Sequence, residues 1–167
     1  MSRATTLGGV LLSLLVAHPV RAQLAVAPPP EPEVRADVIF GHQPAVQVGG
    51  GVQLPFGYYV RLGLDAAVGL RIDDATRLSA TPRVDGRADV LVRFLLDPFR
   101  QTAYGLSLGG GMSVRAEPGD RLRPLLLAVV ELEGRRRANG WVPAVQVGLG
   151  GGVRLGLIFR RASRGAR

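Results

Sequence analysis

Tyr58-Tyr59-Val60-Arg61-Leu62-Gly63-Leu64-Asp65-Ala66-Ala67-Val68-Gly69-Leu70-Arg71-Ile72 is the stretch that decides the fold class. Its even positions are Tyr58, Val60, Leu62, Leu64, Ala66, Val68, Leu70 and Ile72. Its odd positions hold Arg61, Asp65 and Arg71 among glycine, alanine and Tyr59. A helix would scatter the three charges around its circumference. A strand, with its side-chain period of two, puts them all on one face.

The same alternation recurs along the chain. Arg83 to Leu96 sets Val84, Val90, Val92 and Phe94 against Arg83, Asp85, Arg87, Asp89 and Arg93. Tyr104 to Val114 sets Leu106, Leu108 and Met112 against serine and glycine. In Trp141 to Phe159 the parity flips, with Val145, Val147, Val153, Leu155 and Leu157 on the odd side and Gln146 and Arg154 on the even side. Ala45 to Leu54 and Leu125 to Glu133 are weaker versions, carrying Gln47, Gln53, Glu131 and Glu133. Turn-like breaks separate the runs at Pro55-Phe56-Gly57, Asp97-Pro98-Phe99-Arg100, Glu117-Pro118-Gly119-Asp120 and Ala138-Asn139-Gly140. Six strands are read directly. Val34 to Gly41 supplies another, and a division of the last run at Gly150-Gly151-Gly152 would bring the total to eight. Short links between consecutive strands predict an all-β antiparallel up-and-down meander. Closure into a small barrel leaves no edge exposed.

Residues 1–22 read as a signal peptide: Arg3, an apolar run from Leu7 to Ala17, and Val20-Arg21-Ala22 as the cleavage site. That run is shorter than the roughly 20 residues a membrane helix requires. Residues 23–33, including Ala27-Pro28-Pro29-Pro30-Glu31-Pro32-Glu33, read as a proline-rich linker, 34–160 as the barrel domain and 161–167 as a basic tail.

The chain carries 21 basic residues, all arginine, against 13 acidic ones, for a net charge of +8. A nucleic-acid partner is not expected, because the arginines recur inside the alternating segments and in separate loops rather than on one helix or in one tract. The absence of cysteine excludes disulfides, thiolate metal sites and a lipidated cysteine anchor.

Alternation fits two barrels: apolar face inward in water, or apolar face outward in lipid. Three features favour the second. The polar face is largely glycine, alanine and serine, which weaken a water-facing strand but leave room in a narrow lumen. Its charges come in both signs, as arginine–carboxylate pairing in a closed interior requires. The nine aromatic residues lie near strand ends, as belts at the two membrane interfaces would.

With these features the chain resembles the small outer-membrane β-barrel proteins, the class that includes the eight-stranded barrels. The likeness covers about residues 34–160. It rests on the exported N-terminus, the alternation, and the last strand Gly152-Val153-Arg154-Leu155-Gly156-Leu157-Ile158-Phe159, which is similar to that family's assembly signal. One departure is the continuation past the aromatic, from Arg160 to Arg167. The resemblance implies insertion by the barrel-assembly machinery and no single activity.

No catalytic, cofactor-binding or metal-binding residues are assigned. His42 is the only histidine past the leader and reads as a turn residue, without a serine and carboxylate at a readable spacing. Asp73-Asp74 reads as a solvated turn. The triple-glycine runs Gly49-Gly51, Gly109-Gly111 and Gly150-Gly152 lack a following Lys-Ser/Thr, are read inside strands, and are assigned to curvature or close packing. Pro44-Ala45-Val46-Gln47-Val48-Gly49 is echoed at Pro143-Ala144-Val145-Gln146-Val147-Gly148, which would suit two neighbouring strands. The expected protein is a monomeric, non-enzymatic barrel in outer-membrane lipid, structural, adhesive or envelope-stabilising, with a plugged lumen. The alternative is a soluble periplasmic barrel or sandwich holding an apolar ligand within its apolar face.

Overall fold

A computed structural model describes residues 29–72, 82–99, 101–116, 122–135 and 140–161. The leader, most of the linker, Asp73-Asp74, Glu117-Pro118-Gly119-Asp120 and the tail from residue 162 lie outside those residues. Eight strands run in order: β1 (Glu31–Phe40), β2 (Ala45–Phe56), β3 (Val60–Ile72), β4 (Pro82–Leu95), β5 (Gly105–Ala116), β6 (Arg123–Glu133), β7 (Trp141–Leu149) and β8 (Val153–Arg161). Each pairs antiparallel with the next, and β1 pairs with β8, so the meander closes into a barrel. With β1 and β8 adjacent, both ends of the described chain emerge at one mouth, called here the terminal mouth. The β1–β2 and β7–β8 turns mark the far mouth.

The alternation translates directly into sidedness. Along β1 the odd residues are buried and the even ones exposed: Arg35 is 3% exposed and its neighbour Val34 49%. In β3, Asp65 and Arg71 are buried while Leu64, Val68 and Leu70 face outward. In β4, Asp85, Arg87, Asp89 and Arg93 are buried while Val84, Val90, Val92 and Phe94 face outward. The interior is thus the polar side and the aliphatic rows form the outer wall. Apolar interior contacts are few, centred on Leu91, Leu127 and Val129.

Four sequence expectations need correction. The first strand starts at Glu31, inside the stretch read as linker, with Glu31 and Glu33 buried at 4% and 3% exposure. Pro32 sits on the outer face beside the strand's start, where a missing ladder donor is tolerated. Gly150-Gly151-Gly152 divides the last run, as the count of eight required, and so does not lie inside a strand but makes the β7–β8 turn, with Leu149 opposite Val153. Gly151 and Gly152 adopt φ of 69° and 144°, conformations open to glycine and strained for other residues. The echoed segments lie on β2 and β7, which flank the closing pair instead of pairing with each other. Finally, the aromatics form one girdle, not two. Phe56, Tyr58, Tyr59, Phe94, Phe99, Tyr104, Trp141 and Phe159 cluster toward the terminal mouth, and Phe40 alone toward the far one. Phe99 lies 6.1 Å from Tyr58 and 6.2 Å from Tyr59, ring centre to ring centre.

Candidate functional site: the charged lumen

Every strand but β2 and β7, which contribute glutamines, sends a charged side chain inward. Burying a charge is costly unless it is paired and hydrogen-bonded, so the lumen must be judged by its partners. Glycine on the inner face makes the space. A Cβ added at Gly51 would strike the Asp65 carboxylate; at Gly63 it would lie 2.5 Å from Arg93 Nη1 and at Gly156 2.5 Å from Asp37 Oδ1. At Gly69 it would collide with the Val46 carbonyl across the β2–β3 ladder. The small residues of the polar face therefore match the large charged ones across from them.

At the terminal mouth Arg160 is the hub. Its Nε and Nη2 donate to Glu33 Oε2 at 3.1 and 2.8 Å. Nη2 also donates to Glu131 Oε1 at 2.8 Å, and Nη1 to Glu133 Oε2 at 3.1 Å. Gln53 Nε2 adds a bond to Glu33 Oε2 at 3.1 Å. Arg61 reaches Glu133 at 3.3 Å and Glu31 at 3.6 Å; Arg93 Nε lies 3.4 Å from Glu131. A polar recess of about 10 Å³, room for about one water, remains among Gln53, Arg61, Arg93, Ser107 and Glu133.

In the middle Arg35 is held by a bidentate pair to Asp37, Nε to Oδ2 at 2.8 Å and Nη2 to Oδ1 at 3.0 Å. It also donates to Asp65 Oδ2 at 2.9 Å and to Gln146 Oε1 at 2.8 Å. Such forked, charge-assisted bonds fix geometry as well as energy. Gln146 continues the network, donating to Glu131 at 3.2 Å and accepting from Arg154 at 3.2 Å. Arg154 Nη1 bonds Asp89 at 2.7 Å; Arg87 bonds Asp37 and lies 3.0 Å from Asp89. Toward the far mouth Gln47 donates to Asp85 at 2.7 Å, and Arg71 and Arg115 are buried nearby.

The pairing rule differs from a ladder of opposite neighbours. Across the β3–β4 ladder like stands opposite like, Arg61 facing Arg93 and Asp65 facing Asp89, whereas on β1 and β8 Glu33 faces Arg160. Directly opposed like charges destabilise a sheet. Here the countercharges come from across the barrel and from the strand itself: Asp65 pairs with Arg35 on β1 and Arg93 on β4, and Asp89 with Arg154 on β8 and with its own-strand neighbour Arg87. The ion pairs bridge the lumen and tie distant strands together, which makes the arrangement a plug.

Of the inward residues named from sequence, Arg61, Asp65, Arg71, Asp85, Arg87, Asp89 and Arg93 all line this lumen, and Arg83 lies on the same face at the far rim, exposed. Arg160, grouped in the sequence with the C-terminal arginines, is instead a buried hub at 1% exposure; the even-inward parity of Arg154 and Gly156 would have placed it. Glu31, Glu33, Arg35 and Asp37 escaped notice because prolines surround the start of β1 and its alternation was read only weakly. His42 lies exposed in the β1–β2 turn. Among the described residues no group of three His, Cys, Asp or Glu side chains is arranged to hold a metal ion.

No protein-family model matches the chain, and no curated protein sequence matches it either.

Proposed function

We propose that this protein is an integral, monomeric barrel of a bacterial outer membrane, with a structural, adhesive or envelope-stabilising role and not a catalytic one. The observation that carries the reading is the inversion of sides. Arg35, Asp37, Asp89 and Arg160 are 1–3% exposed inside, while Val46, Val48, Val68, Val90 and Leu149 on the outer wall are 51–60% exposed. Water around that wall would meet continuous rows of aliphatic side chains, far beyond the scattered apolar residues a soluble surface carries. Lipid would meet what it solvates best.

Strand length supports the same reading. The strands run from 9 residues in β7 and β8 to 14 in β4, and a tilted strand crosses the hydrocarbon in about 9–11. The aromatic girdle suits one headgroup interface, and in the outer-membrane class the termini face the periplasm. The N-terminal leader, cleavage after Ala22 and delivery to the barrel-assembly machinery complete the proposal. An apolar ligand inside would need the aliphatic rows on the inner face, where the charges lie.

Cell fractionation tests the assignment. The protein should leave the outer-membrane fraction only with detergent and migrate differently on gels when unheated than when boiled. Recovery in the soluble periplasm would overturn it. A second measurement concerns the plug: planar-bilayer recordings should show little or no conductance, and a stable open channel would contradict a lumen sealed by Arg–carboxylate pairs.

A further inference from the structure

Among the described residues the far mouth holds more inward arginines than carboxylates. Arg87 on β4 stands opposite Arg115 on β5, and Arg115 stands opposite Arg123 on β6. Arg71 and Arg83 stand opposite each other on β3 and β4 at the same mouth. All five occupy inward-facing positions, with Arg83 and Arg123 on the exposed rim. Asp65 and Asp89, or Arg61 and Arg93, face like charges too, yet each finds opposite charges from across the barrel. Arg115 does not. It is 7% exposed, its Nε has no hydrogen-bond partner, and among the described residues no carboxylate lies within ion-pair distance of it. The charged groups around it are Asp85, Asp89, Arg87 and Arg71. Asp89 pairs with Arg154 and Arg87, and Asp85 accepts from Gln47, each through Oδ2; the Oδ1 atoms of both are buried without a hydrogen-bond partner, and neither comes within ion-pair distance of Arg115.

A buried guanidinium with open donors beside further guanidiniums is a recognition site for a tetrahedral oxyanion. Planar N–H forks match phosphoryl oxygens, and several forks share the charge of a dianion. We propose that the far mouth binds a phosphate group, with Arg115 at its floor, Arg87 and Arg71 at its sides and Arg83 and Arg123 at its rim. The site goes beyond the structural role above and does not depend on what surrounds the barrel's outer wall. The phosphate is either free in solution or the phosphomonoester of a lipid headgroup leaning over the rim.

The test uses the full chain purified in an uncharged determicellar medium of neutral detergent, free of phosphate. Inorganic phosphate is titrated by calorimetry, and in a second arm phosphatidic acid is mixed into the micelles and followed by its phosphorus resonance. Saturable binding in either arm is expected, and the tighter arm identifies the source. Arg115→Gln should weaken it at least tenfold. Arg123→Gln, on the exposed rim where folding is not at stake, should weaken it several-fold, while Arg135→Gln at the opposite end should change nothing. No saturation in either arm, or equal affinity in Arg115→Gln and Arg123→Gln, overturns the site. So does binding that emerges only in a Glu117→Gln/Asp120→Asn chain, because the β5–β6 connection would then be the resident counter-anion.

Discussion

At the terminal mouth Arg160 gathers three glutamates; at the far mouth Arg115 stands between Arg87 and Arg123 and meets no described carboxylate at ion-pair distance. Both mouths belong to one lumen and are built from the same residue types. The difference lies in where the counterions come from. The terminal mouth carries its own, held by donors on β1, β2, β3, β4 and β8, and it alone wears the aromatic girdle. At the far mouth, among the described residues, Arg115 Nε has no hydrogen-bond partner. A closed barrel can therefore tie its charges together at one end, and the proposed phosphate site would use the other.

The largest effect should come from removing the hub. Arg160→Leu strands Glu33, Glu131 and Glu133 without their shared cation, and breaking a buried network from one side costs roughly 3–5 kcal/mol. Urea unfolding of the refolded barrel should show that loss; a change below about 1 kcal/mol would mean that the terminal mouth is not the sealed end. Gly69→Val comes next. Its Cβ would collide with the Val46 carbonyl, and overpacking of this kind costs about 1–3 kcal/mol or prevents closure. Loss of the heat-modifiable gel species reports it.

Smaller still is the girdle. Phe99→Ala removes the ring lying between Tyr58 and Tyr59, worth about 0.5–1.5 kcal/mol. The smallest effect sharpens the comparison most. In phosphate-free buffer Arg115→Gln should cost no more than about 0.5 kcal/mol and can raise stability, since no close ion pair is lost and a buried charge with an open donor is removed. A loss matching that of Arg160→Leu would make the two mouths equivalent.

Tyr58 to Ile72 made β3 and its sidedness legible without a structure, because period two is a local signal. The same holds for β4, whose five inward-face charges were readable from parity alone. What was illegible is non-local. Arg35 meets Asp65 and Gln146 from 30 and 111 residues away, and no spacing rule encodes such partners. Pairs two residues apart on one strand, Arg35–Asp37 and Arg87–Asp89, lie within reach of a spacing rule, but Asp65 faces Asp89 and finds Arg35 from β1. β1 was obscured for a different reason: proline signals a linker wherever its missing donor is not known to face outward. Arg160 was obscured by company, since Arg161, Arg164 and Arg167 made it look like part of a tail.

The pairing of β1 with β8 sets an order of events. Glu33 and Arg160 stand opposite each other and bond, yet 127 residues separate them. The first strand to be made must wait for the last, and until it arrives three glutamates have no common cation. A chain cut short before β8 lacks the cation that joins that cluster and cannot shut its seam. The lumen thus acts as a test of completeness: only a finished polypeptide can lock, and every fragment keeps an open edge for quality control to find.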